Sequence, residues 1–100
     1  MNLTQAKRLF FKLRKEGRVD VCEKHVISDH LERGYTIHEV INLVMTVYGH
    51  FEDTSDLRYK GERFYWRTED VFENRVRLVI EFDEDEDGQL ILVVSAGDRS

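Results

Sequence analysis

The sequence predicts a single α+β domain in which N-terminal helices pack on one face of an antiparallel sheet of about four strands. Helical spacing of apolar residues and helix-capping motifs dominate residues 1–48, whereas alternation of apolar and polar residues dominates residues 57–96. The chain has 100 residues, 41% of them hydrophobic, so it can bury one core without disulfides or metal ions. Because no linker or internal repeat divides it, we expect residues 1–100 to form one domain.

An amphipathic helix with a basic outer face is predicted for residues 4–16. Its apolar residues recur at helical spacing: Ala6, Leu9, Phe10 and Leu13. Phe11 lies off this stripe. Thr4 is the expected N-cap, and Gly17 is expected to end the helix, because glycine readily adopts the left-handed conformation found just beyond a helix terminus.

The charge is distributed unevenly along the chain, whose net charge is −5. Residues 1–18 contain six basic side chains and one acidic side chain, whereas residues 19–100 contain nine basic and nineteen acidic ones. Because the average field of the chain repels phosphate, any contact with nucleic acid has to be local.

Cysteine content and hydropathy indicate a cellular compartment. Cys22 is the only cysteine, so no intramolecular disulfide can form, and a reducing compartment is favoured. No apolar run approaches the roughly 18 residues that a membrane span needs, and the N-terminus lacks the apolar stretch of a signal peptide. We therefore expect a cytoplasmic protein that does not associate with membranes.

The remaining elements are predicted from helix caps and from alternation. Residues 19–27 suit a short strand or an extended segment. Thr36 and Glu39 form a capping box that begins a second helix, which is expected to end at Gly49. The stripe of this helix that faces the core is Ile37, Val40, Ile41, Val44 and Tyr48. Strands are expected at 57–59, 63–67, 75–82 and 90–96, and the last two form a hairpin.

Two patterns are typical of metal sites, and neither is complete. Asp83-x-Asp85-x-Asp87-Gly88 matches the opening of a calcium loop, but the position of the last ligand falls on Val94, and strands rather than helices flank it. We interpret it as a solvated hairpin turn. The histidines and Cys22 lack the paired spacing of zinc sites, so no metal or other cofactor is expected.

Residues 58–67 interleave rings with cations, a mixture that can stack bases and neutralise phosphates. The same mixture describes an ordinary strand whose rings pack in the core. Phe64, Tyr65 and Trp66 are consecutive, so neighbouring rings must point to opposite faces of a strand. We favour core packing over a contact with nucleic acid for this segment.

Groups suited to acid/base and phosphate chemistry concentrate in residues 25–40. His30 and Arg33 share one face of a helical turn that precedes Gly34, so the imidazole and the guanidinium could converge on one anion. A histidine can move a proton near neutral pH, and an arginine stabilises phosphoryl charge. Such groups are the minimum for metal-independent RNA cleavage. From spacing alone, a surface pair without function is the favoured interpretation.

The stretch His25-Val26-x-x-x-x-x-x-Arg33-Gly34-Tyr35-Thr36-x-x-x-Val40 resembles the N-terminal signature of an uncharacterised bacterial domain family that is grouped with the RelE- and BrnT-like toxin folds. The resemblance covers residues 19–96. It departs at Asp29, where the family often has arginine, and at His30, which replaces a position that is usually apolar. On this resemblance we expect a RelE/BrnT-like arrangement, with residues 1–18 as an additional basic helix.

The resemblance implies a toxin-like, metal-independent ribonuclease. His25 or His30 would act as acid or base, and Arg33 would stabilise the phosphate. Further substrate-binding groups would come from Tyr59, Tyr65, Arg67 and Arg77. An antitoxin protein would cover the site. The competing hypothesis is a non-catalytic protein- or RNA-binding module that uses the N-terminal helix and the aromatic strand, since a shared fold does not carry function.

Overall fold

The structure, a computed structural model, describes residues 1–22, 36–54, 57–58, 62–69, 73 and 75–96. Its helices and strands are α1 (Leu3–Lys15), β1 (Val19–Val21), α2 (Ile37–Met45), β2 (Gly49–Asp53), β3 (Phe64–Glu69), β4 (Arg75–Glu84) and β5 (Leu90–Ala96). The predicted α+β class is therefore confirmed. None of the helices in these ranges has the length and apolarity that a membrane crossing requires.

The helix α1 follows the predicted apolar spacing, but its cap differs from the prediction. The N-cap is Asn2, whose side chain accepts a hydrogen bond from the backbone N–H of Gln5 (2.9 Å), while the Gln5 side chain accepts one from the Asn2 N–H (3.2 Å). The expectation of Thr4 as N-cap is wrong, because Thr4 has Lys7 three residues later and cannot form this reciprocal box. Gly17, with a φ of +73°, follows the last turn as expected. The buried residues of α1 are Ala6, Phe10 and Leu13.

The capping box that begins α2 is confirmed. The Thr36 hydroxyl accepts a hydrogen bond from the Glu39 N–H (3.1 Å), and the Glu39 carboxylate accepts one from the Thr36 N–H (3.2 Å). The helix ends at Met45, because Thr46 already has extended backbone angles. The prediction that Tyr48 continues the core stripe is therefore wrong, and its side chain is 85% exposed.

The five strands form one mixed sheet in the order β1-β5-β4-β3-β2. The pairs β2–β3, β3–β4 and β4–β5 are antiparallel, whereas β1 runs parallel to β5. We expected about four antiparallel strands. The sheet has these four, β2 to β5, and in addition the short parallel strand β1 at its edge. Val19 pairs with Leu92 and Val21 with Val94, and three residues carry too little alternation to reveal such pairing in advance.

The strand predicted at 57–59 is misplaced over its described part, where Leu57 and Arg58 form a turn. The strand lies earlier, at β2, where Phe51 is the only buried hydrophobic residue. An edge strand with one buried apolar side chain has almost no hydrophobic alternation to detect. The predicted hairpin of β4 and β5 is confirmed. Its two strands are paired from Glu84 and Leu90, the pair nearest the turn, onward.

One hydrophobic core joins both helices to a single face of the sheet. The ring centroid of Phe10 in α1 lies 4.9 Å from that of Phe51 and 5.0 Å from that of Trp66. The Trp66 indole Nε1 donates a 2.9 Å hydrogen bond to the Leu43 carbonyl of α2. The expected placement of helices on one face is confirmed. Fully buried residues of the central strands complete the core: Phe64, Leu78, Ile80, Leu92 and Val94.

Candidate functional site

The site residues predicted from the sequence divide into two groups. Those outside the residues that the structure describes are His25, His30, Arg33 and Tyr59. Those on described strands are Tyr65, Arg67 and Arg77. Their side chains alternate with the core residues of β3 and β4, so they lie on the face of the sheet opposite the helices, the outer sheet face.

Tyr65, Arg67 and Arg77 come together on the outer sheet face, and each arginine already has an internal partner. Arg67 and Arg77 are direct register partners, an arrangement in which like charges repel. Arg67 forms an ion pair with the Glu52 carboxylate through its Nε. The guanidinium carbon of Arg77 lies 4.5 Å from the centroid of the Tyr65 ring, within the range of a cation–π contact. These contacts offset the repulsion between the two arginines.

The charge of the outer sheet face is mixed rather than basic. Arg63 lies 3.4 Å from the Glu81 carboxylate, and Arg75 is the register partner of Glu69. Arg63, Arg67 and Arg75 thus each lie beside an acidic residue, whereas Arg77 contacts the Tyr65 ring. A polyanion approaching it would meet the carboxylates of Glu52, Glu69 and Glu81 as well as the arginines.

The outer face of α1 differs from the outer sheet face in its exposed cations. Its exposed basic residues are Lys7, Arg8, Lys12 and Lys15. Within the part of the chain that the structure describes, none of these four forms an ion pair. Residues four apart are neighbours on a helix, so the Phe11 side chain, 36% exposed, lies between Lys7 and Lys15.

Arg14 ties this face of α1 to the segment that follows α2. Its guanidinium carbon lies 4.7 Å from the Phe11 ring centroid and 5.4 Å from that of Trp66. Its Nη1 donates hydrogen bonds to the carbonyls of Val44 (3.2 Å) and Thr46 (3.0 Å), which the end of α2 leaves without intrahelical partners. Burial lowers the pKa of the Arg14 guanidinium from its ordinary value, and arginine remains protonated in proteins.

The segment between α2 and β2 presents apolar side chains on a fixed backbone. Val47 is 76% exposed and Tyr48 is 85% exposed. The Tyr48 carbonyl accepts a 2.7 Å hydrogen bond from the Thr68 hydroxyl. The next residue, Gly49, lies so close to the Trp66 indole that a Cβ atom would overlap the ring. Large apolar side chains held out into solvent by an ordered backbone are typical of interaction surfaces.

These two elements form what we call the basic–aromatic surface. It consists of Lys7, Arg8, Phe11, Lys12 and Lys15 of α1, together with Val47 and Tyr48. Sequence reasoning identified the basic helix but assigned Tyr48 to the core. The position of Phe11 off the apolar stripe was the available signal, since a ring outside the buried stripe of a helix has to face solvent or a partner.

The described ranges contain no candidate metal site, because nowhere in them do three His, Cys, Asp or Glu side chains lie close enough together to hold an ion. The basic–aromatic surface offers cationic, aromatic and apolar groups. Comparison of the chain with protein-family models, with curated proteins and with solved structures gave no match. The resemblance to the RelE- and BrnT-like folds therefore stays a prediction.

Proposed function

We propose that the protein is a non-catalytic RNA-binding module that contacts its ligand through the basic–aromatic surface. The observation that carries this proposal is the set of exposed cations around the Phe11 ring of α1, none of which forms an ion pair with another described residue. A local positive surface is the form that nucleic-acid binding has to take in a chain whose net charge is −5.

The unpaired state of these cations supports binding to phosphate. Lys7, Arg8, Lys12 and Lys15 form no ion pair among the described residues, so no described ion pair has to break before they reach a ligand. Each phosphate they neutralise releases a condensed counterion, which favours association at low salt. Arg67 of the outer sheet face lacks this advantage, because it would first have to leave Glu52.

The exposed rings support an RNA ligand over a simple anion. Base stacking on an aromatic side chain contributes about 1–3 kcal/mol per base. Phe11 lies within the row of cations, and Tyr48 lies beyond the backbone that Arg14 holds against α1. The Phe11 ring thus lies beside cations, as the bases of a nucleic-acid strand lie beside its phosphates.

The metal-independent ribonuclease implied by the family resemblance has no support from described contacts. Its acid/base and phosphate-stabilising groups, His25, His30 and Arg33, lie outside the described residues. An antitoxin partner is likewise a prediction of the resemblance alone. We propose binding without cleavage, and the two functions differ in the fate of the bound RNA.

A titration with matched charge variants tests the proposal. Fluorescence anisotropy of a labelled, unstructured RNA is measured against the wild type, Lys12→Glu and Arg75→Glu. Both substitutions change the net charge equally at exposed positions, but only Lys12 belongs to the basic–aromatic surface. At about 50 mM salt we expect Lys12→Glu to weaken binding by at least about fivefold, and Arg75→Glu by less than about twofold.

The RNA is recovered after each titration and run on a denaturing gel, where intact RNA is expected. Equal weakening by both variants would show that only the net charge matters and would reject the assigned surface. Absence of binding by the wild type at low salt would reject the RNA-binding module. Cleaved RNA would reject the non-catalytic assignment in favour of the nuclease.

A further inference from the structure

We infer that the basic–aromatic surface selects unpaired nucleic-acid strands over duplexes, with Tyr48 as the residue on which a base stacks. This inference rests on the proposed function and names its substrate class. The observation that carries it is the Tyr48 side chain, which is 85% exposed. The backbone of Tyr48 is held by a hydrogen bond from the Thr68 hydroxyl to the Tyr48 carbonyl.

The exposed ring has a partner only in an unpaired strand. Bases within a duplex are already stacked on each other, and a protein reaches only their edges and the phosphates. An unpaired base offers its face, which an aromatic side chain can cover whatever the base identity. A duplex would therefore use only the cations of α1, whereas a single strand uses the cations and the ring of Tyr48.

The backbone on both sides of Tyr48 is preorganised. Arg14 donates a 3.0 Å hydrogen bond to the Thr46 carbonyl, and the Thr68 hydroxyl donates a 2.7 Å hydrogen bond to the Tyr48 carbonyl. Gly49 packs against the Trp66 indole, which leaves the following backbone no room to shift toward the core. Binding therefore has to order only the two side-chain torsions of a tyrosine, a small entropic cost for a large contact area.

The packing of α1 disfavours a duplex as the ligand. Ala6, Phe10 and Leu13 are buried against the sheet, so only the outer face of the helix is available. The major groove of an RNA duplex is deep and narrow, and side chains do not reach its base edges. A helix with one face fixed in the core can lie along such a duplex only at its phosphates. It can lie along a flexible single strand with both phosphates and bases in reach.

A comparison of two RNA ligands tests the selectivity. An unstructured single strand and a blunt duplex with the same number of phosphates are titrated with the wild type, Tyr48→Ala, Tyr48→Phe and Leu57→Ala. Leu57→Ala is the matched control, because it truncates another side chain that is 83% exposed, outside the basic–aromatic surface. Near-ultraviolet circular dichroism of each variant checks that the fold is retained.

We expect the wild type to bind the single strand at least about fivefold more tightly than the duplex, the low end of one stacked base. Tyr48→Ala is expected to lose about that factor for the single strand only. Tyr48→Phe keeps the ring and is expected to retain the preference for the single strand, and Leu57→Ala is expected to behave like the wild type. Equal affinity for both RNAs would overturn the selectivity and leave the RNA-binding module standing. An equal loss for both RNAs in Tyr48→Ala would also overturn it. No binding of either RNA would reject the module and the selectivity together.

Discussion

Arg14 of α1 donates a 3.0 Å hydrogen bond to the carbonyl of Thr46, thirty-two positions later in the chain. This contact joins the basic helix to the segment that carries Tyr48. The same guanidinium stacks on Phe11, so one side chain fixes the relative position of the cations, the exposed ring of the helix and the exposed segment. The basic–aromatic surface is in this sense a product of tertiary packing rather than of the helix alone.

Replacing Arg14 should therefore destabilise the fold more than replacing a neighbouring cation. Arg14→Met leaves the carbonyls of Val44 and Thr46 without their donor, at an expected loss of about 1–3 kcal/mol in the free energy of unfolding. Lys15→Met, at an exposed position one residue later, should change it by less than about 0.5 kcal/mol. Urea denaturation of both variants measures the difference, and equal losses would contradict the assigned role of Arg14.

The close contact of Gly49 with the Trp66 ring predicts a coupled effect. Gly49→Ala places a Cβ atom inside the indole, so we expect it to cost about 1–3 kcal/mol of stability, the usual range for overpacking. Trp66→Phe makes room for this atom but loses the hydrogen bond to the Leu43 carbonyl. A double-mutant cycle by chemical denaturation should therefore show a smaller cost of Gly49→Ala in the Trp66→Phe background. Strictly additive costs would show that the two residues do not compete for space.

Asp85 in the β4–β5 turn predicts a dependence of stability on pH. The hydrogen bond from the Gln89 N–H is the largest cause that lowers the pKa of its carboxyl, followed by the bond from the Asp87 N–H and the charge of Arg18. Because the folded pKa lies below the ordinary 3.8, the carboxylate contributes stability above that value and loses it as the pH falls through the folded pKa.

Asp85→Asn keeps the shape of this side chain and removes its charge. We expect a lower thermal midpoint than that of the wild type at neutral pH, and a difference that narrows as the pH falls below 3.8. Thermal unfolding from neutral to strongly acidic pH measures both curves. A difference that stays constant over the whole range would contradict the role given to the charge.

The salt dependence of RNA binding should report how many cations of the protein contact phosphates. Four phosphate contacts predict a slope of about −3 for the logarithm of the association constant against the logarithm of the salt concentration, since each single-strand contact contributes about −0.7. Lys12→Gln removes one contact and should give a slope of about −2, while Arg75→Gln leaves the wild-type slope. Anisotropy titrations across a salt series measure these slopes. Identical slopes for the two variants would remove Lys12 from the contact surface.

Much of the fold could be predicted from local sequence signals. Three local patterns each predict a helix or strand to within a few residues, and the structure confirms all three. They are the capping box of Thr36 and Glu39, the apolar spacing of α1 and the alternation of β4. The strand β2 could not be predicted in the same way, and β1 could be predicted only as a short strand or extended segment within residues 19–27. Their residues become strands because they pair with β5 and β3 at the two edges of the sheet, and short edge strands carry little alternation of their own.

The candidate site was predictable only in part. The basic face of α1 follows from composition and helical spacing, and the position of Phe11 off the apolar stripe points to an exposed ring. The exposure of Tyr48 could not be foreseen, because its spacing fits a longer helix. The helix ends at Met45 instead, and Trp66 and Arg14, both distant in sequence, donate hydrogen bonds to carbonyls of its last turn and of the segment after it.

The most direct measurement is a titration of isotope-labelled protein with unstructured RNA, followed residue by residue through backbone amide shifts in NMR spectra. The RNA-binding module predicts shifts that cluster on the outer face of α1 and at Val47 and Tyr48, while the amides of Tyr65 and Arg77 on the outer sheet face stay in place. Shifts that cluster on the outer sheet face instead, with α1 unaffected, would contradict the central claim.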